Sequence, residues 1–190
     1  QLLRVDAEEV AGIEKDIESE LVSAIHQVAA DAALIILSDY AKGAMTDGVI
    51  KAALEAGEAF GIPVIADPKG RDFRRYGAVD LLKPNGHELA HAFGMPTETD
   101  QDAAAALAAA AKTLPAKAVV VTRAAKGMSF ITKDSEVTHK AGKAREVYDV
   151  SGAGDTSIAA LALGLAGGGT LGQAVDLAIA ASGIAVGKSG

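Results

Sequence analysis

Short runs of consecutive apolar residues alternate along this chain with longer stretches of helical character. The runs AALIIL (32–37), IPVIAD (62–67), AVDLLKP (78–84) and AVVVT (118–122) suit strands buried on both faces of a parallel sheet. Helices are expected between them, over roughly 16–30, 46–60, 85–93 and 101–113. The second of these is well punctuated, with Thr46 as N-cap, Gly61 just past its end and Pro63 beyond. A β-α-β-α order implies right-handed crossovers and a layered α/β sheet. The segment MSFITKDSEVTHK (128–140) then predicts a hairpin turning at Lys133 and Asp134, a local antiparallel addition. After REVYDV (145–150), whose strand is expected to end at Val150, the chain becomes two Ala/Gly-rich helices, about 153–166 and 171–187, whose small residues permit close packing. The alanine-rich DAAAALAAAAKTL (102–114) reads as a helix of high intrinsic propensity. Neither an internal repeat nor a linker emerges, so residues 1–190 are expected to form one domain or part of one.

Composition narrows the function classes. The chain has 190 residues, 49% apolar and 23% charged, an ordinary globular balance long enough to bury a core. With 18 Lys+Arg against 25 Asp+Glu the net charge is −7, which argues against a main role in neutralising nucleic-acid phosphates. A local basic pocket for one phosphorylated metabolite remains compatible with that charge. The absence of cysteine excludes disulfides and Cys-based metal or redox sites, and is compatible with a cytoplasmic setting. Apolar stretches are too short or too glycine-rich to span a bilayer, so no membrane role is expected. The opening QLLRVDAEEV begins without methionine and reads as the middle of a longer protein.

The most informative stretch is YDVSGAGDTS (148–157), an expected strand, a tight glycine turn and a helix start. Backbone N–H groups of Gly152, Ala153 and Gly154 would converge there, where the helix macrodipole also favours an anion. Asp155 falls in the first helical turn. A carboxylate beside a phosphate nest repels a resting phosphate, so its sensible task is to take a proton from an attacking hydroxyl, general-base work in phosphoryl transfer. The bland alternative is an ordinary helix start, which Ser, Gly and an early Asp also suit. A dinucleotide-binding fingerprint would need a third glycine where Ser157 stands. The terminal GIAVGKSG (183–190) is one residue short of P-loop spacing and leaves no room for the helix that must follow.

A second motif, HELAH (87–91), fits the HExxH pattern in which His87 and His91 would hold zinc and Glu88 would activate a water. A catalytic zinc needs a third ligand, and the other histidines are His26 and His139. The competing reading is local. Pro84 ends a strand, Asn85 is placed as N-cap and Glu88 is N3, which makes Asn85 and Glu88 a capping-box pair at a helix start that can face a bound nucleotide.

DVSGAGDT (149–156) resembles the C-terminal signature of the ribokinase-like, or phosphofructokinase B, family of carbohydrate kinases, and NGHE (85–88) and TRAAKG (122–127) resemble two further motifs of that family. Together with LSDYAKGAM, IADPKGRDFRRYGA and GIAVGKSG, these segments are similar to its heptose 7-phosphate kinase branch, found fused to an adenylyltransferase in lipopolysaccharide biosynthesis. The resemblance implies a three-layer α/β/α sandwich with a mostly parallel central sheet. It implies ATP and Mg²⁺ as cofactors, a sugar phosphate as the other small-molecule partner, and a homodimer in the intact protein. Asp155 would be the catalytic base and Gly152, Ala153 and Gly154 the anion hole for the γ-phosphoryl group. Asn85, Gly86, His87 and Glu88 would lie at the ATP site, with Asn85 and Glu88 organising Mg²⁺ and its waters. Thr122, Arg123 and Gly127 would line the nucleotide side, with Ala181 to Gly183 near adenine. Asp39, Lys42 and Lys69 would face the same sheet edge, toward substrate or phosphate. The family's first strands, its lid and a Gly-Gly sugar-binding segment would precede Gln1, so the chain alone is expected to lack the sugar grip. The alternatives are another sugar kinase of this family, a nucleotide-binding module without catalysis, and a zinc hydrolase.

Overall fold

The computed structural model describes residues 11–142 and 152–187. In chain order the elements are α1 (Lys15–Ala29), β1 (Ile35–Ser38), α2 (Asp47–Phe60), β2 (Val64–Asp67), β3 (Leu81–Leu82), α3 (Gly86–Phe93), α4 (Asp100–Thr113), β4 (Ala118–Thr122), β5 (Met128–Thr132), β6 (Thr138–Lys140), α5 (Ala153–Ala166) and α6 (Leu171–Val186). Short 3-10 turns at Phe73–Tyr76 and Ala124–Lys126 complete them. The six strands form one sheet in the order β1-β2-β3-β4-β5-β6. The first four are parallel, and β5 and β6 are antiparallel additions, with Ser129 opposite His139 across the hairpin.

Alternation along each strand feeds two cores. Val64, Ala66, Leu82, Val119 and Val121 meet Ile50 and Ala53 of α2, Leu89 of α3 and Leu107 of α4. Ile65, Leu81, Ala118 and Val120 meet Leu161 of α5 and Val175 and Ile179 of α6 on the opposite face. The three-layer α/β/α sandwich expected from the sequence is therefore observed, with a mostly parallel sheet. Small residues bring α5 and α6 together: a Cβ on Gly164 would lie 2.8 Å from the Cα of Ala174.

The caps follow the sequence closely. Thr46 accepts from the Val49 N–H at 3.1 Å, and Gly61 closes α2 in the left-handed conformation at φ +65°. The strand expected over 78–84 pairs only at Leu81–Leu82. Past it the Pro84 carbonyl accepts from Thr122 N at 3.1 Å, and Asn85 bridges Thr122 in parallel register. The strand expected to end at Val150 and the chain end after Gly187 lie outside the described residues.

Because β1 to β4 run in parallel, the residues that follow them emerge along one edge of the sheet, where ligands of open α/β sheets bind. Asp39 and Tyr40 follow β1, Lys69 comes two residues after β2, Asn85 opens α3 after β3, and Arg123 follows β4. No helix among the described residues is long and apolar enough to cross a membrane.

Candidate functional site

At the start of α3 the capping box is formed. Asn85 Oδ1 accepts from Glu88 N and Glu88 Oε2 accepts from Asn85 N, both at 2.8 Å. The second carboxylate oxygen of Glu88 receives the ammonium of Lys69. That hydrogen bond from Lys69 to Glu88 holds the Lys69 pKa above its ordinary value, partly offset by desolvation. The structure thus joins Lys69, expected near substrate or phosphate, to Glu88, expected near metal.

Lys69 is itself fixed from behind. Its N–H donates to the Tyr76 hydroxyl at 2.9 Å, and that hydroxyl donates to Asp39 Oδ2 at 2.7 Å. Burial, then the Asp39 carboxylate, push the Tyr76 hydroxyl well above the usual phenol range. Asp39 is only 4% exposed and also accepts from Ala41 N at 2.7 Å. Here the structure departs from expectation: Asp39 turns inward and anchors the loop after β1, whereas Lys42 stands exposed on that loop.

A cavity of about 770 Å³ opens beside these residues, within the range usual for small-molecule sites. Asn85, Gly86 and His87 line it from α3, Thr122, Arg123 and Gly127 from the β4–β5 connection, and Ala153 and Gly154 from α5. From α6 come Ile179, Ser182, Gly183 and Val186. Ala181, expected near adenine, instead packs against the α5–α6 core, and its neighbour Ser182 faces the cavity. The Ser182 hydroxyl is buried with no hydrogen-bond partner among the described residues. Arg123 borders the cavity, but its guanidinium pairs with Asp100 and donates to the Glu98 carbonyl at 3.1 Å and to Ser129 Oγ at 3.2 Å. It braces the wall and holds the Asp100 carboxyl below its ordinary range. Gly127 sits at φ +88°, and a Cβ there would come 2.2 Å from the Lys140 carbonyl oxygen.

The α5 N-terminus forms the cavity's floor. Gly152 is the N-cap at φ +73°, with no side-chain cap, and its carbonyl accepts from Thr156 N at 2.8 Å. First-turn N–H groups of a helix lack intrahelical acceptors and can receive an anion. Among the described residues, nothing lies within 4 Å of a Cβ placed on Gly154. Asp155 is exposed, lies just outside the cavity lining, and accepts a hydrogen bond from the Tyr40 hydroxyl at 2.7 Å.

The HELAH histidines are both exposed, with ring centroids 6.3 Å apart. Arg71 Nε donates to His91 Nε2 at 2.8 Å, which occupies the nitrogen a metal would use. Glu88 is held by Asn85 and Lys69, and no group of three potential ligands occurs among the described residues. Zinc is expected not to copurify stoichiometrically, and His91→Ala is expected to leave nucleotide binding nearly unchanged. Metal analysis showing one equivalent of zinc, lost on that substitution, overturns the capped-helix account.

Several residues at this edge carried no sequence signal of their own. Tyr40 sits inside a quoted segment, but its contact spans 115 residues of chain. Thr97 is buried, and its hydroxyl donates to the Gly86 carbonyl at 2.9 Å, steadying the cavity wall. Lys83 is 2% exposed and pairs with Asp67 at 3.0 Å, although Lys83 reads in sequence as the polar end of a strand.

Fold and site together are those of an α/β protein with a cavity of small-molecule size bordered by a helix N-terminus at one sheet edge. The chain belongs to the pfkB family of carbohydrate kinases, whose pattern it matches over residues 5–190. Among curated relatives it is 60% identical over its whole length to the bifunctional protein HldE of Hyphomonas neptunium, and 48% identical to that of Azorhizobium caulinodans. It covers 39% and 40% of those two proteins, so it spans about two fifths of their length. Among solved structures it resembles Arabidopsis thaliana ribokinase complexed with ribose and ATP, at 27% identity and a TM-score of 0.75, over 94% of this chain and 55% of that one. Escherichia coli phosphofructokinase-2 in complex with potassium shares the fold, at 22% identity and a TM-score of 0.80, over 94% of this chain and 58% of the other.

Proposed function

We propose that this chain carries the nucleotide site and phosphoryl-transfer machinery of an ATP-dependent sugar kinase. In this reading the native protein phosphorylates the anomeric hydroxyl of D-glycero-D-manno-heptose 7-phosphate to the 1,7-bisphosphate. The observation that carries the reading is the α5 N-terminus. Its open first turn borders the cavity through Ala153 and Gly154, while Asp155 stands on the other side of the same turn. A γ-phosphoryl group held over that turn lies between a nucleotide in the cavity and an acceptor hydroxyl at Asp155. The carboxylate takes the hydroxyl proton, the freed oxygen attacks phosphorus, and ADP leaves into the cavity. The N–H groups of the turn stabilise charge on the transferring group without reorganising. The apolar side chains Ile179 and Val186, with the unpartnered Ser182 hydroxyl, suit a heteroaromatic base at the far end.

Mg²⁺ keeps several waters and leans on substrate phosphates more than on protein cages. Asn85 and Glu88, already committed to the cap and to Lys69, fit a water-mediated hold on such an ion, which would neutralise phosphate charge. The heptose assignment rests on the segment resemblances and on the similarity to HldE proteins. A cytoplasmic location, a homodimeric native protein and a single kinase domain that includes all 190 residues belong to the same proposal.

The test is a coupled assay of the native protein with heptose 7-phosphate, fructose 6-phosphate and ribose, beside calorimetric titration of the 190-residue chain with ATP and Mg²⁺. Preference for heptose 7-phosphate supports the full reading. Preference for another sugar leaves only the kinase class. Nucleotide binding without turnover on any sugar favours a binding module. Within this frame, Gly154→Leu is expected to weaken ATP binding at least tenfold while leaving the melting temperature nearly unchanged. The first carbon of the new side chain meets no atom of the described residues, yet it occupies the space where the phosphate would sit.

A further inference from the structure

We propose that Tyr40 is the positioning residue for the Asp155 carboxylate, fixing which of its two oxygens faces the acceptor hydroxyl. This rests on Asp155 acting as the base. The hydroxyl of Tyr40 donates to Asp155 Oδ1 at 2.7 Å, so that oxygen is committed and Oδ2 is left to receive a proton. Tyr40 is 55% exposed, which means the contact is not a by-product of core packing.

The backbone behind Tyr40 is held more firmly than an exposed tyrosine requires. Asp39, its neighbour, is clamped by the Tyr76 hydroxyl at 2.7 Å, by Ala41 N at 2.7 Å and by Arg75 at 3.7 Å. Asp39 N donates to the Asp67 carbonyl at 3.1 Å, and Ala41, the residue after Tyr40, adopts the left-handed conformation at φ +55°. For a non-glycine residue that conformation carries a cost, and such strain persists where the surroundings over-determine it. The result is a short, braced turn that presents one phenol across the sheet edge to the start of α5. An exposed carboxylate without such a partner would sample several rotamers, and only some of them place an oxygen in line with phosphorus.

The phenol is suited to the task. The Asp155 hydrogen bond, with burial and the Asp155 charge, raises the Tyr40 pKa, so the hydroxyl stays protonated and remains a donor. Asp67 adds a weaker effect of the same sign, and Ser38 one of opposite sign. The Lys69 ammonium also interacts electrostatically with Tyr40.

The experiment compares Tyr40→Phe, Tyr40→Ala and Asp155→Asn in the native protein, read by turnover and by KM for ATP. Asp155→Asn comes first. If it retains turnover within a few-fold of wild type, the base assignment falls and this proposal falls with it. Given a strong Asp155→Asn defect, Tyr40→Phe is expected to lower kcat about tenfold with KM for ATP unchanged. Tyr40→Ala should match Tyr40→Phe, since the hydroxyl and not the ring is at work. A Tyr40→Phe enzyme with wild-type kcat overturns the proposal while leaving Asp155 as base. A defect in Tyr40→Ala alone overturns it too, assigning the ring to packing or sugar contact.

Discussion

Asp155→Asn is expected to lower turnover of the native protein by roughly 10²- to 10⁴-fold, the usual worth of a positioned general base. ATP affinity should change far less. The amide keeps the size of the carboxylate and can still accept from the Tyr40 hydroxyl through its oxygen, so the first turn of α5 keeps its geometry. What the amide cannot do is take a proton from an acceptor hydroxyl. Its neutrality also removes a negative charge beside the phosphate position, so ATP binding should stay level or tighten slightly. A loss confined to kcat with steady KM is the signature of an interaction that matters only in the transition state. Single-turnover measurement beside equilibrium ATP titration separates the two quantities. Turnover within a few-fold of wild type removes Asp155 from the role, and an equal loss of ATP affinity assigns it to binding.

Local chemistry made much of this architecture legible. Thr46, Gly61, Asn85 and Glu88 each act through atoms a few residues away, so their caps could be read directly from sequence and occur as expected. The hairpin turn at Lys133 and Asp134 is local in the same sense. The helix expected from about 153, after a tight glycine turn, is also observed, with Gly152 at φ +73° as its N-cap. The rest depends on which element lies beside which. Asp39 reads as a ligand-facing acid until Tyr76 and Arg75 are seen to enclose it. Ala181 and Ser182 differ by one helical step, about 100° of rotation, and only the placement of α6 decides which one meets the cavity. Pairing in the sheet likewise set the length of β3, where apolar character alone suggested a longer strand.

Lys83→Met is expected to destabilise the folded chain by about 3–5 kcal/mol at neutral pH, a large part of the stability of a typical domain. Lys83 Nζ lies 3.0 Å from Asp67 Oδ2, with side-chain exposures of 3% and 14%. Methionine fills a similar volume, so the loss comes from leaving Asp67 charged and buried without its main partner. The pH dependence has a definite sign. Desolvation already raises the Asp67 pKa in the folded protein, and the charge and hydrogen bond of Lys83 are the leading influences that restrain it. Removing them raises it further. An acid with a raised folded pKa binds its proton more tightly when folded, so stability is gained as pH falls through that pKa and is lost above it. The Lys83→Met penalty should therefore be largest from neutral pH upward and shrink in mild acid, as Asp67 becomes neutral. Urea denaturation at about pH 5 and about pH 8 checks this, both values lying above the ordinary aspartate range. The double variant Asp67→Asn/Lys83→Met should recover much of the loss and show little of the pH dependence, because neither charge remains to be buried. A Lys83→Met penalty that is small, or that grows toward acid, would show that the pair is dispensable to the sheet edge it occupies.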